Sequence, residues 1–333
     1  MSIQQEQYTF DDLDLSNVPP IQDNSNHKLD HHHPRELCKI LYSKDYLHTL
    51  KIFNALLNSN EYSKRSLYIT KQVIQLVPAY YTAWNFRFHI LQKLMALSDT
   101  ENEITLDKEL DWLDEFTLNN PKNYQIWSYR ESLIKDTVSF PNQHSLKREL
   151  PIIELMIDDD TKNYHVWSYR KWCVKYYQDY TNEWKFCDKY IDRDVYNNSS
   201  WCHRMFILEN MILVSTPIDR LSLIEKETKY TMEKIDLAPQ NISSWNYYRR
   251  LQLLLLNNGT DNHKKNINLQ NSIEFANRFN TTSSYALEYL AFAYSALDSQ
   301  KYRTQILEIY QCLVTKYDPI RANYWKYKIS ELE

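Results

Sequence analysis

The chain has 333 residues, a formal charge of −4 and a pI near 6.2, a balance that argues against a general nucleic-acid binder. Its single glycine, Gly259, against roughly 23 at average usage, excludes Gly-rich phosphate loops and Rossmann fingerprints and leaves an all-α chain as the simplest reading. Five cysteines, odd in number and without a Cys-x-x-Cys pair, indicate neither a disulfide framework nor a zinc knuckle.

Residues 1–45 carry an acidic patch (Asp11, Asp12, Asp14), Pro19-Pro20 and the run His31-His32-His33, with little apolar periodicity. They read as a flexible acidic N-terminal arm, and the histidines as part of that arm rather than as a metal site. The polar start is unlike a signal sequence, and no apolar run approaches membrane-spanning length. The expectation is a soluble, cytoplasmic protein with no membrane insertion.

Residues 46–333 read as one helical-repeat domain. Leu67, Thr70, Ile74 and Val77 define one helical face ended by Pro78; Leu106, Leu110, Leu113 and Thr117 define the next, ended by Asn119-Asn120-Pro121. After that turn comes Lys122-Asn123-Tyr124-Gln125-Ile126-Trp127-Ser128-Tyr129-Arg130, which returns as Lys162-Asn163-Tyr164-His165-Val166-Trp167-Ser168-Tyr169-Arg170. Looser copies surround Trp84, Trp201 and Trp245, and a weak last one holds Asp318-Pro319, Trp325 and Lys328, leaving a degenerate unit between Trp245 and Trp325. The tryptophans recur at roughly 34 to 44 residues, the period of stacked helical hairpins. Each unit therefore reads as helix A, an Asn/Asp/Pro turn and helix B, with Asn123, Asn163, Asn198 and Asn241 placed to cap helix B.

Tryptophan and arginine share a face in Trp84/Arg87, Trp127/Arg130, Trp167/Arg170 and Trp201/Arg204. Their presence in unit after unit assigns them to the scaffold. His89 and His203 read as surface or packing residues. Lys122 and Lys162 each stand just before a helix B, where partial positive charge and open N–H groups suit an anion, although a lysine there is often a solvated surface charge. Asp158-Asp159-Asp160 invites a magnesium reading but lacks the usual spacing of isoprenoid enzymes, so it reads as the solvent-facing end of a helix A. No complete catalytic constellation and no metal site emerge, which favours a binding or subunit role.

With these motifs in hand, the chain resembles the α subunits of protein prenyltransferases, whose repeats carry the same Asn-Tyr-x-x-Trp-x-x-Arg core. The runs Asn119–Trp127 and Asp160–Trp167 look most like the α subunit shared by farnesyltransferase and type I geranylgeranyltransferase, fungal form. The resemblance implies a right-handed α-α superhelix of about seven hairpins, tetratricopeptide-like, forming a crescent around a β subunit. It implies transfer of farnesyl or geranylgeranyl from its diphosphate to the cysteine of a C-terminal CaaX motif on Ras- or Rho-like proteins. Zn2+ would sit in the β subunit, and Mg2+ would assist farnesyl transfer. Carried over residue by residue, Lys122 reaches the diphosphate, Tyr124 lies beside it and Gln125 meets the acceptor's terminal carboxylate. Asn163, Tyr164 and His165 fall near the diphosphate and product path, and Tyr81 near the peptide, with Tyr80 replacing the usual asparagine. The rival readings are a Rab geranylgeranyltransferase α subunit and a non-catalytic interaction scaffold.

Overall fold

The computed structural model describes residues 8–16, 18, 41–96, 104–140, 145–258 and 262–332. The His31-His32-His33 run lies outside them. The described chain is helical, with fifteen α-helices and no strand among the described residues. It divides into two compact units, Met1–Asp158 and Asp159–Glu333.

The first unit contains α1 (Lys44–Asn58), α2 (Lys64–Leu76), α3 (Tyr81–Ala96), α4 (Leu106–Asn119), α5 (Tyr124–Lys135) and nearly all of α6 (Leu146–Asp159). Polar residues fix the helix starts. The side-chain oxygens of Ser43, Ser63 and Thr105 accept from the backbone N–H three residues on, satisfying donors that a helix leaves open. α2 packs on α3 and α4 on α5 as hairpins, around Phe53, Leu56, Val73, Ile90, Leu110 and Leu113. The expected α4 stripe is buried in full, whereas in α2 Leu67 is half-buried and Val77 is the C-cap. Part of the acidic patch is held on this core: Phe10, Leu13 and Leu15 pack against it, and Arg65 donates to both Asp12 oxygens at 2.6 and 2.9 Å.

The second unit contains α7 (Tyr164–Tyr177), α8 (Glu183–Arg193), α9 (Asn198–Val214), α10 (Pro217–Leu237), α11 (Ile242–Asn258), α12 (Asn262–Asn277), α13 (Ser284–Asp298) and α14 (Arg303–Cys312). A π-helical turn, a 3-10 turn and α15 (Ala322–Ser330) complete it. α8 packs on α9, α10 on α11, α12 on α13 and α14 on α15. The degenerate unit is the α12–α13 hairpin, where Ser283 replaces the capping asparagine.

The repeated motif wires four of these turns in the same way. The indole N–H of Trp84, Trp167, Trp201 and Trp245 donates to the carbonyl six residues earlier, on Pro78, Thr161, Val195 and Pro239, at 2.8–2.9 Å. Those carbonyls also accept from a following copy: Asn123 to Pro78, Asn197 to Thr161, Asn241 to Val195 and Ser283 to Pro239. The same asparagines cap their helices through Oδ1. The cap of α9 is therefore Asn197, and Asn198, expected in that role, is the first helical residue.

The arginines reach forward to a glutamate of the next helix A, in the first turn of α4, α6 and α8 and at mid-helix in α10. Arg87 binds Glu109 through two bonds of 2.6 Å, and Arg130 binds Glu149. Arg170 binds Glu183 at 3.0 and 2.7 Å, and Arg204 binds Glu227 at 2.6 and 2.8 Å. All eight side chains are at most 5 % exposed. Three of these carboxylates take another bond from the helix B that follows them: Glu109 from Tyr129, Glu183 from His203 and Glu227 from Tyr247. Each of the three thus ties together two successive B helices. Aromatic faces cover the guanidinium groups, with Trp112 4.1 Å from Arg87, Phe186 3.3 Å from Arg170 and Tyr230 3.7 Å from Arg204.

The pairing stops at α11. Tyr248 stands at the arginine position and Leu269 at the glutamate position, eighteen residues before the Trp-equivalent Leu287. An aromatic cluster of Trp245, Tyr248, Phe275, Phe279 and Tyr289 takes over.

Two outcomes follow from this wiring. Glu109→Leu leaves the buried Arg87 without its counter-charge and lowers the unfolding free energy by about 3–5 kcal/mol, whereas Arg87→Met/Glu109→Leu restores most of it. Denaturant titration of the three chains checks this, and a double variant as weak as the single one contradicts it. At the third link, burial depresses the His203 imidazole below its ordinary value, although its bond to Glu183 works to raise it. The folded chain thus holds neutral imidazole while the unfolded chain binds a proton as pH falls through about 6.5, so this group's stability is full above that pH and declines on acidification. His203→Tyr, the residue used at Glu109 and Glu227, is expected to flatten the fall in unfolding free energy on acidification below about pH 6.5. Equal slopes in the two chains contradict the assignment.

Candidate functional site

The helix-B mouths, where the copies differ chemically, carry the candidate residues. In the first unit Tyr81 opens α3 and is 71 % exposed, while Tyr80, in the asparagine position, turns inward with its ring 5.8 Å from Phe53. Asn123 caps α5 by accepting from the Gln125 N–H at 2.8 Å and anchors it by donating to Pro78 O at 2.7 Å. Gln125 is buried and donates one amide N–H to Ala79 O at 2.9 Å, which fixes its carboxamide and leaves a second N–H and the carbonyl oxygen. These two ties bring the start of α5 onto the turn before α3, so Tyr81, Lys122, Tyr124 and Gln125 share one end of the first unit. Lys122 and Tyr124 are exposed.

In the second unit Asn163 is buried and accepts from the His165 N–H at 3.1 Å. Tyr164 is 76 % exposed and meets the half-buried His165 ring edge-on at 5.9 Å. Lys162 lies 3.8 Å from Asp194 Oδ2, so part of its charge is matched locally. In Asp158-Asp159-Asp160 the first two are exposed, and Asp160 accepts from the Lys162 N–H at 3.0 Å. Among the described residues no three His, Cys, Asp or Glu side chains converge to hold a metal ion. Nor, among them, is any helix long and apolar enough to cross a membrane.

Chemically, the first-unit end offers a lysine, a fixed carboxamide donor and exposed phenols beside open helix N-termini. Such a set stabilises anionic oxygen, whether phosphate or carboxylate. Sequence reasoning placed these residues at the mouths but missed the Ala79 carbonyl that orients Gln125, since a backbone acceptor leaves no trace in residue type.

The match to known proteins is specific. The protein prenyltransferase alpha subunit repeat is matched at residues 63–94, 106–136, 146–177, 180–211 and 224–255. The protein farnesyltransferase/geranylgeranyltransferase type-1 subunit alpha of Candida albicans is 38 % identical over 324 residues, covering 96 % of this chain and 97 % of that one. This chain belongs to the protein prenyltransferase alpha subunit family. The Dictyostelium discoideum type-1 subunit alpha is 30 % identical over 304 residues, covering 90 % of this chain and 88 % of its own. Among solved structures, Candida albicans protein geranylgeranyltransferase-I complexed with GGPP matches with a TM-score of 0.79 at 35 % identity, over 99 % of this chain and 100 % of that one. Each of the five matched family repeats contains one motif tryptophan, and four of them contain the glutamate eighteen residues before it. The first has Ser66 there, buried in α2 one turn before Thr70, to which Arg87 donates.

Proposed function

We propose that this chain is the α subunit of a heterodimeric protein prenyltransferase of the farnesyl/geranylgeranyl type-1 class. With its β partner it moves farnesyl or geranylgeranyl from the diphosphate to the cysteine thiol of a C-terminal CaaX motif, forming a thioether and releasing diphosphate. The observation that carries the reading is the match, over nearly the whole length of both chains, to a relative with this name. That end-to-end likeness to type-1 subunits favours it over the Rab-specific enzyme.

In this reading Lys122 places its ammonium against the diphosphate and offsets the charge that builds there as the carbon–oxygen bond breaks. The positive end of the α5 dipole adds to that field. Tyr124 donates its phenolic hydrogen beside the lysine. The second N–H of Gln125 meets the terminal carboxylate of the acceptor, with the first held by Ala79 O. Tyr81 borders the peptide, and Asn163, Tyr164 and His165 border the diphosphate and product path. In the same reading Zn2+ is held by the β subunit and Mg2+ accompanies the diphosphate in farnesyl transfer. Ras- and Rho-like proteins are the acceptors, and the cytoplasm is the compartment, in keeping with the free thiols of Cys173, Cys187, Cys202 and Cys312.

Co-expression with a farnesyltransferase β subunit tests this directly, with isoprenoid transfer to a CaaX peptide as the readout and each chain alone as control. Transfer by the pair only is the expected result. A stable pair that transfers neither farnesyl nor geranylgeranyl, or transfer by this chain alone, contradicts the assignment.

A further inference from the structure

A second candidate site lies in the second unit, away from the helix mouths. A cleft of about 300 Å³ opens between α10, α11 and α12, at the interface where the arginine–glutamate pair is missing. This volume is within the range of small-ligand sites.

The residue that sets this cleft apart is Gln252. It stands seven positions after Trp245, and the equivalent positions of the four earlier B helices hold Leu91, Ile134, Val174 and Leu208, all buried and apolar. Gln252 is only 3 % exposed and lines the cleft. A carboxamide at so buried a position is unfavourable unless its donor and acceptor edges are matched, and the cleft is the space that it borders. Tyr248 and Leu255, also from α11, give the cleft an apolar floor, and Met232 of α10 gives it an apolar side. Two more carboxamides, Asn268 and Asn271, face it from α12. At the rim Glu225 and Lys229 lie one helical turn apart and are both exposed, so the mouth carries no net charge.

We propose that this cleft binds a neutral amide ligand, a peptide group next to an aliphatic side chain. The carboxamide of Gln252 pairs with the peptide N–H and C=O, while the side chain rests on Tyr248, Met232 and Leu255. A carboxamide offers one donor edge and one acceptor edge, the complement of a peptide group, and the neutral rim disfavours anions and cations alike. The site goes beyond the transfer reaction and does not depend on it.

The test uses the full chain labelled with 13C at its methionine methyls, six in number, and N-acetyl-leucine-N′-methylamide as the probe. The Met232 resonance is expected to shift and saturate while the other methyls stay in place. Gln252→Leu, which restores the apolar residue of the other copies, is expected to weaken binding about tenfold. Asn271→Ala, an exposed change, is expected to weaken it less and serves as the check should the first variant unfold. A capped Ala-Leu-Ala peptide that binds more tightly than the single capped residue assigns the site to a peptide segment, and equal binding assigns it to a small free amide. The proposal is overturned if Met232 does not shift, which leaves water as the occupant. It is equally overturned if all methyls drift without saturation, or if both variants bind as well as the parent chain.

Discussion

The interaction on which the structure depends is a buried carboxylate shared between successive hairpins. Glu109, Glu183 and Glu227 each accept a guanidinium from the helix B before and a phenol or imidazole from the helix B after. Removing such a charge from water is costly, and it is repaid only when every lone pair finds a donor. That condition fixes the register of neighbouring repeats, because a hairpin slipped by one turn strands both a guanidinium and a carboxylate. The aromatic rings over Arg87, Arg170 and Arg204 complete the enclosure. The tryptophan–carbonyl–asparagine contacts hold the opposite feature, the turn, by the same logic of a shared acceptor.

Much of this was legible in the residues. The tryptophan period gives the hairpins, the apolar stripe of α4 is buried as its spacing requires, and the scaffold role of the arginines is what their burial demands. The glutamates were not legible, although each stands eighteen residues before a tryptophan. Glu109, Glu149 and Glu183, in the first turns of their helices, resemble ordinary surface residues favoured by the helix dipole, and Glu227 resembles a mid-helix surface residue; only the fold shows that an arginine from another hairpin reaches each of them. His203 read as a surface or packing residue because sequence spacing does not reveal that the position it occupies, a tyrosine in the neighbouring copies, is a hydrogen-bond donor position. Asn197 and Asn198 are adjacent alternatives for one cap, and residue type alone does not choose between them.

The candidate site was legible in a different way. Gln125 and His165 are where the two most similar copies diverge, and Lys122 and Lys162 are lysines that the other copies lack; these differences within a repeated frame are the ground on which the proposed function rests its site. What residue type could not supply was orientation: Gln125 is held by the Ala79 carbonyl with one N–H remaining, and Lys162 has Asp194 nearby. The frame therefore presents chemically distinct side chains on helix mouths that are capped in the same way.

The most direct test of the proposed site is to replace Lys122 by tyrosine, the residue that the fourth copy carries at the same register as Tyr196, in the paired enzyme. Single-turnover prenyl transfer and the unfolding free energy are then measured on the same preparation. The account predicts a transfer rate lower by about tenfold or more with an unfolding free energy within about 0.5 kcal/mol of the parent. An unchanged rate, or a loss of rate matched by a loss of stability or of the pair, would contradict it.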